Sequence, residues 1–210
     1  MDELTRPRRR GRAPWLTPSF RQEGWRKLFH ALSAGYAVLY ALAGRERTLW
    51  ILGAAAGAGA LLEAVRLRHV ALNQWLVGRF GGIHREKELS RPSGIFWTLL
   101  GCFSTALFVP ERDIALAAML YLTVGDGLAG FVGRSWGRIR IGDKSVEGSL
   151  ACFIGSWVVG TLVLTPGGRP EVLIGAFLVT ALEALSVPPD DNLTIPLISG
   201  WALHFVRGMA

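Results

Sequence analysis

Long apolar runs cut by compact blocks of charge constrain this chain more than any other feature. Half of its 210 residues are hydrophobic and only 19% are charged, and the charges cluster so that clear runs remain between them. A soluble helical core of this size needs polar faces at helical spacing, whereas most of these runs are apolar all round. The pattern therefore predicts an all-α fold, a polytopic transmembrane helical bundle.

In chain order, Met1 to Glu23 is polar and carries Arg6, Arg8, Arg9, Arg10 and Arg12 among prolines, which reads as a basic, disordered cytoplasmic tail with no signal peptide. Residues 24–210 form the membrane domain. The first span follows Gly24-Trp25-Arg26-Lys27-Leu28-Phe29-His30 and runs to about Ala43, and the second runs from Thr48 to about Val65. A basic loop, Arg66 to Gly94, comes next, within which Val70 to Phe80 reads as an interfacial amphipathic helix with Leu72, Trp75, Leu76 and Phe80 on the membrane side. Further spans are about Ile95–Val109, Ile114–Val132, Ser149–Leu164, Val172–Leu185 and Leu193–Val206. This makes about seven spans, several below the ~20 residues of a straight crossing, so tilt, flanking residues or local thinning must make up the length.

Charge sets the orientation. With the N-terminus inside, 18 of the Lys and Arg residues fall in inner segments and five, Arg45, Arg47, Arg112, Arg169 and Arg207, fall outside. Such a bias puts the N-terminus in the cytoplasm. It also accounts for the net charge of +7, and no nucleic-acid motif accompanies it. Cys102 and Cys152 have no metal spacing and read as small core residues, and His69 and His84 lack any ligand spacing.

The same orientation gathers the unexplained polar groups at one level. Arg26, Lys27, His30, Glu63, Asp126, Lys144, Glu147, Glu183, Asp190 and Asp191 all fall near the cytoplasmic end of a span or in a cytoplasmic loop. Asp126 sits among Leu, Val, Ala and Phe, where a carboxylate is costly and points to function. Gly125, Gly127, Gly130, Gly133 and Gly137 leave the backbone bare for a close approach, and Arg134, Arg138, Arg140 and Lys144 add positive charge. Together they describe a site for a polyanion with a metal ion. Alternatives stand beside this reading. The glycines also suit helix packing. The cations suit topology. Glu63 can simply pair with Arg66 three residues on. Asp190-Asp191-Asn192 can cap a helix that holds Pro196 in its first turn, although one capping residue would be enough.

The chemistry best matched is a nucleoside triphosphate with Mg²⁺, with an acceptor drawn from the bilayer. Asp126, Asp190 and Asp191 are the metal candidates. Gly125, Gly127, Gly133, Arg134, Gly137, Arg138, Lys144, Ser145 and Gly148 are the nucleotide candidates. Arg26, Lys27, His30, Glu63, Asp126, Lys144, Glu147, Glu183 and Asp191 are the catalytic candidates. No Walker A loop is present.

Arg26-Lys27-Leu28-Phe29-His30, Glu63-x-x-Arg66, Gly125-Asp126-Gly127-x-Ala129, Gly133-Arg134-x-x-Gly137, Lys144-Ser145-Val146-Glu147-Gly148-Ser149, Glu183 and Asp190-Asp191-Asn192-Leu193-Thr194-Ile195-Pro196 together resemble the polyprenol kinase group. That group includes dolichol kinase, phytol kinase and CTP-dependent diacylglycerol kinase. The resemblance implies an integral membrane kinase of a lipid or isoprenoid alcohol that uses CTP and a divalent metal. It implies that Arg26, Lys27 and Asp126 are needed for activity and that Lys144 to Glu147 belongs to the nucleotide site. The nearest rival, phosphatidate cytidylyltransferase, shares a Lys-Ser/Thr-x-Glu-Gly element, but its C-terminal Gly-Gly-x-x-Asp-Arg-x-Asp core is not found here. A non-enzymatic scaffold or polyanion transporter is the alternative of another class.

Overall fold

The computed structural model describes residues 33–80, 89–164 and 169–209. Arg26, Lys27 and His30 lie outside the described residues. What is described is almost wholly helical: α1 (Ala34–Arg68), α2 (Val70–Phe80), α3 (Gly94–Phe108), α4 (Arg112–Leu120), a π-helical segment (Tyr121–Asp126), α5 (Gly127–Ser135), α6 (Val146–Val163), α7 (Arg169–Leu185) and α8 (Asp191–Met209). A small hairpin, β1 (Arg140–Ile141) with β2 (Lys144–Ser145), is the departure from the expected all-helical chain. Gly142, at φ +59°, opens its two-residue turn, a backbone conformation that favours glycine.

α1 covers what the sequence divides into two spans. Gly44, at φ +80° and ψ 173°, breaks it. Only glycine adopts that conformation freely, so one residue replaces the connection expected from Ala43 to Thr48. The contacts show that the chain turns back there. Ser33 bonds Thr123 and the Ala41 carbonyl accepts from Arg112, so the first half lies along α4 and the π segment. Arg45 donates to the Ala106 and Leu107 carbonyls and Glu63 accepts from Ser93, so the second half lies along α3. Packing at Gly200, which meets Val109, Thr105 and Ala118 together, sets α3 antiparallel to α4. The helices thus alternate between two ends of the bundle, a hairpin end and a far end.

At the far end, Arg207 of α8 donates to Asp113 of α4 at 2.7 Å and to Glu171 of α7 at 2.7 Å, and His204 meets Glu111. These bonds staple three helices. The core between the ends is apolar and close-packed, with Ile114, Met119, Tyr121, Leu122, Val179, Ile195 and Leu203 fully buried and Cys102 and Cys152 buried as free thiols. The outside is also apolar: Trp50 is 77% and Leu162 72% exposed. An apolar shell around an apolar core is a lipid-facing arrangement. Among the described residues, Ala34–Arg68, Arg112–Ser135 and Val146–Val163 are long and apolar enough to cross a membrane, three helices by this measure where about seven spans were expected, and Gly94–Phe108 is shorter but apolar.

Pro196 stands in the second turn of α8, not the first as expected. Lacking an N–H, it cannot bond back to the carbonyl of Asn192. α3 packs against that carbonyl through Gly101, where an added Cβ would come within 2.4 Å of the Asn192 oxygen and 3.0 Å of Leu193 Cα. Because both obstacles are backbone, Gly101→Ala must displace the first turn of α8. A loss of about 1–3 kcal/mol is expected, read as a fall in melting temperature of the detergent-purified protein.

Candidate active site at the hairpin end

Four elements converge on one ammonium. β2 delivers Lys144, the last turn of α7 delivers Glu183, the first turn of α8 delivers Asp191, and the π segment ends at Asp126. Lys144 Nζ donates to Glu183 Oε1 at 2.8 Å and to Asp191 Oδ2 at 3.3 Å, and the charge of Asp126 acts on both Lys144 and Asp191. Glu183 is 97% buried. Two carboxylate oxygens, Glu183 Oε2 and Asp191 Oδ1, are buried with no hydrogen-bond partner.

Local sequence explains each placement. Ser145 caps α6 by accepting from the Gly148 N–H at 3.1 Å, which fixes the residue before it, Lys144, at the mouth of the helix. Glu147 accepts from the Arg138 and Ile139 N–H groups at 3.0 and 3.2 Å, which ties down the chain entering the hairpin. The run Asp190-Asp191-Asn192 divides its labour. Asp190 Oδ1 accepts from the backbone and side-chain N–H groups of Asn192, and its carbonyl accepts from the Thr194 N–H, so Asp190 makes the cap. Asp191 is left to face Lys144. Asp126 is aimed by the π segment, whose wider turn shifts the phase of the residues after it, a device frequent at functional sites.

Lys144 bonds both Glu183 and Asp191, and the charge of Asp126 also acts on it. Burial works against charge on Lys144, but the bond to Glu183 and the charges of Asp191, Glu183 and Asp126 outweigh it, so its pKa lies above the ordinary 10.5. Burial pushes Asp191, which precedes the apolar part of α8, up to about 6, with the neighbouring Asp126 and Asp190 adding to the rise and Lys144 opposing it.

Other candidates fall elsewhere. Glu63 joins a separate buried network. Arg66 donates to it and to Asn73 and the Arg91 carbonyl, Ser93 donates to it at 2.8 Å, and Asn73 donates to the Leu89 carbonyl. This network ties α1 to α2 and to the entry of α3, so the structure does not bring Glu63 to Lys144. Arg134, Arg138 and Arg140 are exposed around the hairpin, and the Arg134 guanidinium folds over Gly130. The glycine faces are filled by protein. An added Cβ at Gly125 would meet Ser156 Oγ at 2.5 Å, at Gly148 the Ala129 carbonyl at 2.8 Å, and at Gly137 the Gly133 carbonyl at 2.2 Å, while Gly133 faces Ser145. The close approach they allow is between α5, α6 and the hairpin, while Gly127 is half-buried. Among the described residues no three His, Cys, Asp or Glu side chains form a ready-made metal site. Sequence reasoning did not find the pairing of Lys144 with Glu183, because 39 residues separate them.

A helical bundle with an apolar exterior and a buried acidic cluster around one lysine at one end is the arrangement of an integral membrane protein with a polar site near the interface. No family model and no solved structure matches the chain. Individual proteins do match it. The CTP-dependent diacylglycerol kinase 1 of Eremothecium gossypii is 31% identical over 177 residues, 70% of this chain and 54% of that protein. That of Saccharomyces cerevisiae is 28% identical over 211 residues, 86% of this chain and 72% of that protein. The phytol kinase of Synechocystis sp. is 37% identical over 115 residues, 49% of this chain and 48% of that protein. The chain is thus similar to CTP-dependent diacylglycerol kinases and to phytol kinases. The matches span only about half the length of the Eremothecium and Synechocystis proteins.

The raised Asp191 has a stability consequence with a definite sign. An acid with a higher pKa folded than unfolded holds more protons when folded, so its stabilisation is complete below about 3.8 and lost above about 6. Asp191→Asn removes that dependence. The variant is expected to melt higher than wild type at pH 7.5, by an amount worth on the order of 2 kcal/mol, and the difference should shrink between pH 6 and pH 4. Thermal melts in detergent across that range check it, and a gap that is constant with pH would sink the assignment.

Proposed function

We propose that the protein is a CTP-dependent kinase that transfers the γ-phosphoryl group to the hydroxyl of a membrane lipid alcohol, of the polyprenol, phytol or diacylglycerol kind. The observation that carries the reading is the lysine held by Glu183 and Asp191 beside Asp126 at the end of an apolar bundle. The names of the relatives supply the nucleotide and the acceptor class. Seven crossings with the N-terminus and the hairpin end in the cytoplasm fit both the positive-inside count and the alternation of the helices, and they put the site where nucleotide is found.

In the proposed reaction the acceptor oxygen attacks the γ-phosphorus, the bond from that phosphorus to the β–γ bridging oxygen breaks, and CDP leaves with the electron pair. The hydroxyl proton passes to a carboxylate of the site that the cation leaves free. Lys144 neutralises charge on the phosphates, and the exposed Arg134 and Arg138 guide them in. Arg26, Lys27 and His30 are assigned to the phosphate at the membrane surface. Gly125, Gly127, Gly133, Gly137, Ser145, Glu147 and Gly148 shape the walls by packing and capping, and Glu63 positions the loop before α3.

The residues present fit a divalent cation. Mg²⁺ commonly takes one or two carboxylates, with phosphate oxygens and water completing its shell, so it needs no set of three protein ligands. The partnerless oxygens of Glu183 and Asp191 are the donors such an ion lacks, with Asp126 beside them and Asp190 behind. When bound, the ion supplies charge neutralisation on the triphosphate.

Purified protein given γ-labelled CTP and a panel of phytol, farnesol, longer polyprenols and diacylglycerol should pass label to one of these lipids. Asp126→Asn should cut that rate by about 10²–10³-fold while the fold is kept. Label reaching lipid from α-labelled CTP instead, with pyrophosphate released, would establish the cytidylyltransferase alternative. No turnover with any acceptor favours the scaffold or transporter.

A further inference from the structure

The mechanism above gives Lys144 to the phosphates, yet its ammonium is engaged elsewhere. It bonds Glu183 at 2.8 Å and Asp191 at 3.3 Å, and its side chain is only 24% exposed. Each of those two carboxylates keeps its second oxygen buried and without a partner. Those oxygens cost free energy as they stand, because a buried charged acceptor prefers a bonded donor or a cation. One ammonium leaves this pair of carboxylates with a net negative charge and two oxygens unbonded. Two of its three N–H donors are committed to them.

We propose that Lys144 is a placeholder: its ammonium occupies the position of a divalent cation between Glu183 and Asp191, and arrival of the cation releases the lysine toward the nucleotide phosphates. This rests on the kinase reading above for the second half, the destination of Lys144, and stands on the geometry alone for the first. A doubly charged ion answers the excess of carboxylate better than a single ammonium, and it uses the two oxygens that now lack partners. Lysine is suited to leave, since its charge is carried on a flexible four-carbon stem. Its backbone stays fixed by the pairing with Ile141, so only the side chain need move. The exchange gives order to binding, because the phosphate-binding charge becomes available only once the cation is in place. It also makes Glu183, on α7, a direct ligand, and it leaves Asp190 to its capping role.

The test uses Mn²⁺ alone, without nucleotide or lipid, on the purified full chain in detergent. Binding is read from the electron paramagnetic resonance signal of free Mn²⁺. Lys144→Met should bind Mn²⁺ about tenfold or more tightly than wild type, since a competing charge is gone. Lys144→Arg should not, and Lys144→Met with Glu183→Gln should lose the gain. In the wild type, acylation of Lys144 by an acid anhydride, measured by mass spectrometry against Lys27 and Lys87, should speed up several-fold when Mn²⁺ is added. Equal Mn²⁺ affinity of Lys144→Met and wild type, or a Lys144 labelling rate indifferent to Mn²⁺, overturns the proposal. The labelling experiment needs no variant, so a misfolded variant does not shelter the idea. Because neither readout involves phosphoryl transfer, exchange without kinase activity would sink the proposed function only, and kinase activity without exchange would sink this inference only.

Discussion

One ammonium shared by several carboxylates organises the hairpin end of this protein. Lys144 joins β2 to α7 and α8 through Glu183 and Asp191, and it feels Asp126 from the π segment. Elements that are remote in sequence are therefore fixed to one another by charge where the apolar core gives out. The same arrangement is stressed. Burial disfavours the charges of Lys144 and Asp191, and Glu183 and Asp191 each keep one oxygen without a partner. A protein selected for stability alone would be expected to replace such a group with apolar side chains. Its presence at the end of an otherwise apolar bundle is the strongest structural reason to regard this as a working site.

The rest of the bundle holds that cluster still. The far end is stapled by Arg207 between Asp113 and Glu171, which its guanidinium holds through three hydrogen bonds. Between the two ends, small residues let helices approach closely: Gly125 against Ser156, Gly155 against Leu128, Gly160 and Gly175 against the Tyr121 hydroxyl. Close packing is the main source of helix association in lipid, where burial of apolar surface drives little. The glycine-rich stretch around Asp126 is thus first a packing device. It serves the site by bringing the start of α6, and with it Lys144, beside the helix that carries Asp126.

Much of this was legible in the sequence. The apolar runs located the helices to within a few residues, and Val70 to Phe80 is helical at the expected bounds. The alignment of polar groups at one level agrees with the meeting of Asp126, Lys144, Glu183 and Asp191 at the hairpin end, because topology alone forces alternate loops to share a side. The parts that were not legible have specific causes. Gly44 reads as one glycine among many until its backbone angles are known. Whether Glu63 works with Asp126 or with Arg66 depends on side-chain reach, and its network with Ser93 and Asn73 was not contained in the spacing of three.

By itself, the order of residues determined the helical class, the apolar exterior and the end at which charge collects, since each follows from local hydropathy and from alternation. The tertiary structure decided which of those charges meet. It assigned Asp190 to the cap and Asp191 to the lysine, although the two are adjacent and chemically identical. It closed the glycine faces with protein, and it left Glu183 and Asp191 each with an unanswered oxygen. Those outcomes depend on the rotation of α7 and α8 about their axes, which is fixed by packing against α3 and α6 and is written in no single stretch of sequence.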